Sequence, residues 1–210
     1  MATEKKGMMF ILSSPSGVGK TTLTKKIARN NNNYIISVSH TTRKPRPNEV
    51  NGEDYFFVSE KEFNTLIKGD NFFEHTKIFD NYYGTLKKPV REFLNLGKDV
   101  LFDIDWQGTQ QLKKIKNFSI YTFFILPPNI EVLKERLLNR HHGKTDLIEK
   151  RMVKFNEELS HWNEYDYVVV NDDLEICYNK ILNIMNLEKK GKVEKQDIKE
   201  IKEKVDKLIS

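Results

Sequence analysis

Apolar positions gather in five short runs, separated by segments with helical spacing. The runs are Met8–Ser13 (MMFILS), Tyr34–Val38 (YIISV), Asp99–Ile104 (DVLFDI), Ile120–Leu126 (IYTFFIL) and Tyr167–Val170 (YVVV). They show little polar alternation, so they predict strands buried on both faces, as in a parallel sheet. Lys20–Ala28 carries Leu23 and Ile27 four apart, one face of a helix. A helix follows the third run as far as Lys114, and helices follow the fourth and fifth. Asp172-Asp173-Leu174-Glu175 has the spacing of a capping box that opens the last of these. Strands alternating with helices predict an α/β fold, with a five-stranded parallel sheet flanked by helices.

The stretch from Ser39 to about Leu96 breaks this rhythm. It carries glycines at 52, 69 and 84, with Gly97 at its boundary. Ser59-x-x-Glu62 predicts a helix start, and Tyr55–Val58 and Phe72–Glu74 predict short aromatic strands. We read it as an inserted α+β lobe. A second insertion is expected at Asn139–Lys150 (NRHHGKTDLIEK), which is polar and contains a glycine. From Val193 to Ile209, Ile198, Ile201, Val205 and Leu208 fall on one helical face. Glu200/Lys204 and Glu203/Lys207 support that helix at i, i+4. It either docks on the core or frays in solvent. No internal repeat is visible.

Composition narrows the class. The 210 residues are 38% hydrophobic and 11% aromatic, enough for one core with small lobes. The single cysteine, Cys177, excludes an intrachain disulfide, fits a reducing compartment and is expected in the core. No apolar stretch approaches the ~20 residues that span a bilayer. The N-terminal apolar run follows Glu4 and flows into a glycine loop, so it is read as a strand and not a secretory signal. The net charge is +5, of which the eight lysines and six acids from Glu188 onward supply +2. Without a dense basic block, a solvated surface is a better account than nucleic-acid binding. His40, His75, His141, His142 and His161 lack metal-ligand spacing.

Candidate chemistry begins at ILSSPSGVGKTT, residues 11–22. It matches the phosphate-binding pattern G-x-x-x-x-G-K-[ST], except that Ser14 stands at the first glycine. Such a loop turns successive N–H groups toward a phosphate at a helix start, and a lysine and a hydroxyl complete the site. Gly17, Gly19, Lys20 and Thr21 supply these parts between a buried strand and a helix. Ser14 is tolerable if its φ is negative. Asp103 and Asp105 close the third apolar run, and strand alternation puts both carboxylates on one side. They are candidates for a metal or a donor-rich ligand, with helix capping by Asp105 as the alternative.

SxPSGVGKTTL, SVSHTTRKPRPNEVNGEDYFFVS, FFEH, NYYGT, LFDIDWQG and VVNDD, in this order over about residues 8–187, resemble the guanylate kinase family. The resemblance implies a P-loop NTPase core (1–38, 97–134 and 163–210), a GMP-binding lobe (39–96) and a mobile lid (135–162), with 188–210 as a charged helical extension. It implies reversible, Mg²⁺-dependent phosphoryl transfer from ATP to GMP in purine metabolism, and extends to dGMP. Ser14, Ser16, Gly17, Val18, Gly19, Lys20, Thr21 and Thr22 would hold ATP, with Arg140 and Asn171 at the adenine. Ser39, Arg43, Arg46, Tyr55, Glu74, Tyr83, Gly84, Thr85, Asp103 and Asp105 would hold GMP. Lys20, Arg43, Arg136, Arg140 and Arg151 would act in catalysis, and Thr21 and Asp103 would meet the metal. The resemblance implies a cytoplasmic enzyme, monomeric or dimeric, whose partners are small molecules and neither nucleic acid nor membrane. Guanine supports the Glu74 and Asp105 assignments, because its adjacent N1–H and N2 amine donors suit a carboxylate. Two other functions stay open: a non-catalytic scaffold that binds phosphorylated peptides in the lobe, and a P-loop kinase for another small phosphate. Departures from the pattern are Ser14, Thr85 where serine is common, and the tail.

Overall fold

The computed structural model describes residues 6–78, 80–140, 145–192 and 196–209. In chain order the elements are β1 (Met9–Ser13), α1 (Lys20–Asn30), β2 (Tyr34–Ile36), β3 (His40–Thr41), β4 (Phe56–Phe57), α2 (Glu60–Lys68), β5 (Phe72–Ile78) and β6 (Asn81–Leu86). There follow α3 (Lys87–Asn95), β7 (Asp99–Asp103), α4 (Trp106–Lys113), β8 (Ile120–Leu126), α5 (Ile130–Arg140), α6 (Thr145–Ser160), β9 (Tyr167–Val170), α7 (Leu174–Lys189) and α8 (Ile198–Ile209).

The five apolar runs form one parallel sheet in the order β2-β7-β1-β8-β9. Met9 to Leu12 are fully buried because alternate side chains enter two cores. Phe10 and Leu12 pack with Leu23 and Ile27 of α1, Leu133 and Leu137 of α5, and Ile181 of α7. Met9 and Ile11 pack on the opposite face with Val90 and Leu94 of α3 and Leu112 of α4. Each such side chain contributes about 1.5–3 kcal/mol on burial. The order turns at β1, so a crevice opens beyond the carboxyl ends of β1 and β7, where ligands of such sheets bind.

The second sheet, β4-β3-β6-β5, belongs to the inserted stretch. Its helix α2 starts as predicted: Glu62 N donates to Ser59 Oγ (3.2 Å), and Ser59 N donates to Glu62 Oε2 (2.8 Å). The stretch also contains β3, β6 and α3, which the pattern did not predict. Helix α3 has Leu86 as its N-cap, with no side-chain cap, so no polar start signal precedes it.

Several boundaries differ from expectation: β1 begins at Met9, β7 ends at Asp103, β4 is confined to Phe56–Phe57 and β5 extends to Ile78. β2 ends at Ile36, because Ser37 bonds Leu101 O through both N (2.9 Å) and Oγ (3.0 Å) as the chain leaves the sheet. The cap of α7 is Asp173, which accepts from Ile176 N at 2.9 Å, so the box pairing Asp172 with Glu175 does not form. Glu175 reaches Lys26 of α1 instead. Cys177 is buried as expected, and burial pushes its thiol up to about 12. Among the described residues, no helix is long and apolar enough to cross a membrane.

The C-terminal segment docks. Val205 and Leu208 are buried, and Lys204 pairs with Glu200 at 2.7 Å. At β9, the outer strand, Gln196 Oε1 accepts from Val168 N (2.7 Å) and Gln196 Nε2 donates to Val168 O (3.1 Å). The carboxamide thus serves as one residue of a further strand. Gln196→Ala leaves both backbone groups unpaired, so it is expected to cost about 1–3 kcal/mol in urea unfolding. Gln196→Glu, which keeps the acceptor but cannot donate, is expected to cost a comparable amount.

Candidate active site

Beyond β1 the chain turns through Gly17 (φ 91°) and Gly19 (φ 102°), values that favour glycine. Gly19 gives α1 no side-chain cap, so the helix's first N–H groups remain for an anion. Among the described residues, the non-glycines with positive φ are Asn48 and Asp70. Ser14 is therefore not in the conformation that requires glycine, and its hydroxyl donates to Pro15 O at 2.8 Å.

The loop is held on both flanks. Asn171 Nδ2 donates to Val18 O at 2.7 Å. Arg136 donates to Val18 O (3.3 Å) and, through both terminal nitrogens, to Asn171 O (3.2 Å). A Cβ at Gly19 would come within 2.6 Å of Asn171 Nδ2. From α6, Arg151 bonds Ser16 Oγ, and Glu158 Oε2 accepts from Ser16 N at 3.1 Å. Burial raises the Glu158 carboxyl, while the Ser16 amide and the charges of Lys20 and Lys154 oppose the shift.

Beside the loop, Leu12 lies opposite Asp103 in the sheet. Lys20 Nζ spans that strand end, 2.9 Å from Asp103 Oδ1 and 2.7 Å from Ile104 O. Asp105 Oδ1 accepts from Gly108 N at 2.8 Å and caps α4. Burial raises its carboxyl. Capping leaves Asp105 on the wall of the cleft, so both alternatives considered for it are compatible.

The second sheet supplies the far wall. Glu74 of β5 is 2% exposed, and its Oε1 is buried without a hydrogen-bond partner. Burial pushes the carboxyl up to about 7, against hydrogen bonding from Thr85; the Asp105 charge adds to the rise. Ser39 Oγ and Thr85 Oγ1 lie 3.3 Å apart. Nearby, Arg43 makes a forked pair with Glu49 (2.9 and 2.8 Å), and Arg46 N donates to Glu49 Oε2 at 2.7 Å. Burial alone would raise the Glu49 carboxyl, but the two arginines hold it below its usual range. Arg43 also lies 5.4 Å from the Tyr55 ring centroid.

A cleft of about 660 Å³ joins these walls. It is lined by residues 14–22, by Ser39, Arg43, Arg46, Tyr55, Glu74 and Tyr83, by Asp103 and Asp105, and by Arg136, Arg151, Lys154, Glu158 and Asn171. One end is an open anion nest, and the other holds a buried carboxylate with a vacant acceptor. The family model described as guanylate kinase matches residues 6–188.

The chain belongs to the guanylate kinase family.

Its relatives include guanylate kinases of Maricaulis maris (48% identical over 185 residues, 88% of this chain and 85% of the relative) and Rickettsia prowazekii (49% over 189 residues, 90% and 95%). The crystal structure of guanylate kinase from Anaplasma phagocytophilum superposes with a TM-score of 0.72 at 34% identity, covering 88% of this chain and 87% of that one.

Most residues singled out from the sequence meet in this one cleft. Gly84 and Thr85 do not line it. Thr85 stands behind, against Ser39 and Glu74. Gly84 lets β5 and β6 pair closely, since a Cβ there would meet Glu74 O at 3.0 Å. Arg136 donates to one loop carbonyl, Val18 O, and to Asn171 O beyond β9. The Arg140 side chain, and His141 and His142 in the expected lid, lie outside the described residues. Sequence reasoning missed Glu49 and Glu158. Glu49 carried a readable signal, since it follows Arg43 and Arg46 by six and three residues. Glu158 had none, because its loop partner is 142 residues away.

Two outcomes follow from this geometry. Ser14→Gly gains no backbone freedom the fold needs, so urea unfolding should show a loss of about 0.5–1 kcal/mol. Glu74 binds its proton more tightly folded (about 7) than unfolded (4.5). Its contribution to stability is therefore present below about pH 4.5 and is lost as pH rises through about 7. Urea titrations of Glu74→Gln against the unsubstituted ligand-free protein should show that this difference disappears in the variant.

Proposed function

We propose that the chain transfers the γ-phosphoryl group of ATP to the phosphate of GMP, giving ADP and GDP. The observation that carries this is Glu74, a buried carboxylate with a vacant acceptor across one cleft from the phosphate loop. Guanine's N1–H and N2 amine satisfy that carboxylate, whereas adenine lacks such a donor pair. A site built on hydrogen bonds rejects a base that leaves them unmade.

The chain's residues divide the work. The N–H groups of residues 17–21 and Lys20 hold the triphosphate. Arg43, Arg46, Tyr55 and Tyr83 hold the GMP phosphate, and Glu49 keeps the two arginines in place until it arrives. Forked guanidinium groups suit phosphate oxygens, which is why this pair is arginine. Ser39 donates toward O6 with Thr85 behind it, and Asp105 completes the guanine edge. Arg151 and Lys154 approach the loop from α6, where spreading negative charge needs cations. Asn171, besides anchoring Val18, lines the cleft beside the loop, where adenine would lie; the family resemblance assigns Arg140 to the same base.

The donor set fits Mg²⁺. Thr21 is exposed at the helix start and Asp103 stands at the strand end, so hard oxygen ligands flank the phosphate site. Mg²⁺ commonly needs only one or two carboxylates beside the substrate's phosphates and water. Thr21 and Asp103 would hold it, and it would neutralise charge on the β- and γ-phosphates.

The test is a panel of GMP, dGMP, AMP, CMP and UMP with ATP and Mg²⁺, following ADP. GMP and dGMP are expected to be the acceptors, and Glu74→Gln should lower kcat/KM for GMP about a hundredfold or more while leaving KM for ATP unchanged. A preference for AMP, or ADP release that ignores GMP, refutes the proposal. Phosphopeptide binding without turnover would point to the scaffold alternative.

A further inference from the structure

Gly108 lies in the first turn of α4, and its φ is not in the left-handed region. The backbone therefore has no conformational need for glycine, and alanine has the higher helix propensity. The surroundings show what its absent side chain provides. A Cβ at Gly108 would meet Glu74 Oε2 at 2.6 Å, by far the tightest contact, and Glu74 Cδ and the flexible end of Ile104 (Cδ1) at 3.2 Å each, where ordinary contact begins at 3.4 Å. The carboxylate of Glu74 rests against the bare backbone of this glycine.

An added methyl group can be relieved by moving the helix or by moving the carboxylate. The helix is fastened to the strand that carries Glu74. Gln111 Oε1 accepts from His75 N (3.1 Å) and Gln111 Nε2 donates to His75 O (2.9 Å), so one side chain straps both polar groups of that residue. Gln107 bonds Thr76, the next residue along β5. Asp105 fixes Gly108 N at the helix start. Separating α4 from β5 would break these bonds together. Turning the end of the Glu74 side chain is the softer response.

We infer that Gly108 is a specificity-determining positioning residue: the space it leaves open sets where the Glu74 carboxylate meets the purine edge. This rests on the GMP reading proposed above. It goes beyond that reading by placing part of the base selectivity in a residue with no side chain and outside the cleft lining. A shift of well under 1 Å in a carboxylate that must accept two hydrogen bonds at once spoils both.

The experiment is Gly108→Ala, studied kinetically with GMP, AMP and ATP, and by thermal unfolding. We expect KM for GMP to rise about tenfold or more, and the GMP-to-AMP ratio of kcat/KM to fall alongside it. We expect KM for ATP and kcat at saturating GMP to stay within about twofold, and Tm to hold or rise, as alanine favours the helix. Glu74→Asp supplies a readout that a general packing defect would not move. Its shorter side chain withdraws from Gly108, so the added methyl should cost KM for GMP less than about twofold in that background. Additive effects of the two substitutions would overturn the inference, as would an unchanged KM for GMP in Gly108→Ala. Loss of folding in Gly108→Ala would overturn it too, by showing that the strain is taken up by the backbone. Failure of the unsubstituted protein to phosphorylate GMP would refute the substrate reading itself. Turnover of GMP that is indifferent to Gly108→Ala would refute the inference alone.

Discussion

A buried carboxylate lacking a partner for one oxygen is costly to the fold, and the elements around Glu74 hold it in place. Glu74 is taken out of water with Oε1 unpaired, an arrangement that raises its pKa and destabilises the empty protein. Nearby polar groups do not satisfy it: Thr85 supplies only partial compensation. The strain persists because β5 is held from both sides, by pairing with β6 and by the Gln107 and Gln111 straps from α4. A ligand with two adjacent donors removes the cost, so in the proposed reaction the binding free energy is largest for the base that matches.

The opposite wall follows a different logic. An anion nest needs free N–H groups, so its loop cannot be stabilised by filling them. This protein steadies the loop through carbonyl and hydroxyl groups, and through the N–H of Ser16, which precedes the N–H groups proposed to hold phosphate. Asn171 and Arg136 take up the Val18 carbonyl, and Arg151 takes the Ser16 hydroxyl. The N–H groups of Gly19 and its successors stay available. Gly19 needs its missing side chain twice, once for φ and once because Asn171 Nδ2 occupies that space. Ser14 meets neither demand, and that explains how the loop accepts a serine at the pattern's first glycine.

What the sequence revealed divides along the same line. The strands β8 and β9 were legible to the residue, because their apolar runs break off abruptly, at Ser119 and Pro127 and at Asp166 and Asn171. The phosphate loop was legible because its parts are contiguous. The lobe was harder. β3 has two residues, and β6 (NYYGTL) mixes aromatic, polar and glycine positions without period. Helix α3 begins at an uncapped Leu86 and carries Pro89 in its first turn. Glu158, Gln111 and Gly108 were illegible as functional residues, since each takes its meaning from a partner 36 or more residues away or from a gap that no letter records.

Two of the polar links that join the walls are unequal in kind. The seam between α4 and β5 consists of side-chain amides bonded to backbone and hydroxyl groups, which salt screens little. The link between Lys25 of α1 and Asp54 of the inserted lobe is an ion pair near the surface, and such pairs are worth about 0–1 kcal/mol and weaken with salt. In the proposed reaction the carboxylate that would read the base thus hangs from the firmer attachment, while Arg43, Arg46 and Glu49 belong to the segment behind the weaker one. A base reader must hold its angle before the ligand arrives, because an error there forfeits selectivity. A phosphate clamp, the role proposed for Arg43 and Arg46, would gain by yielding, because both arginines would have to exchange Glu49 for the incoming anion. The distribution of rigid and soft contacts across the cleft matches those two tasks.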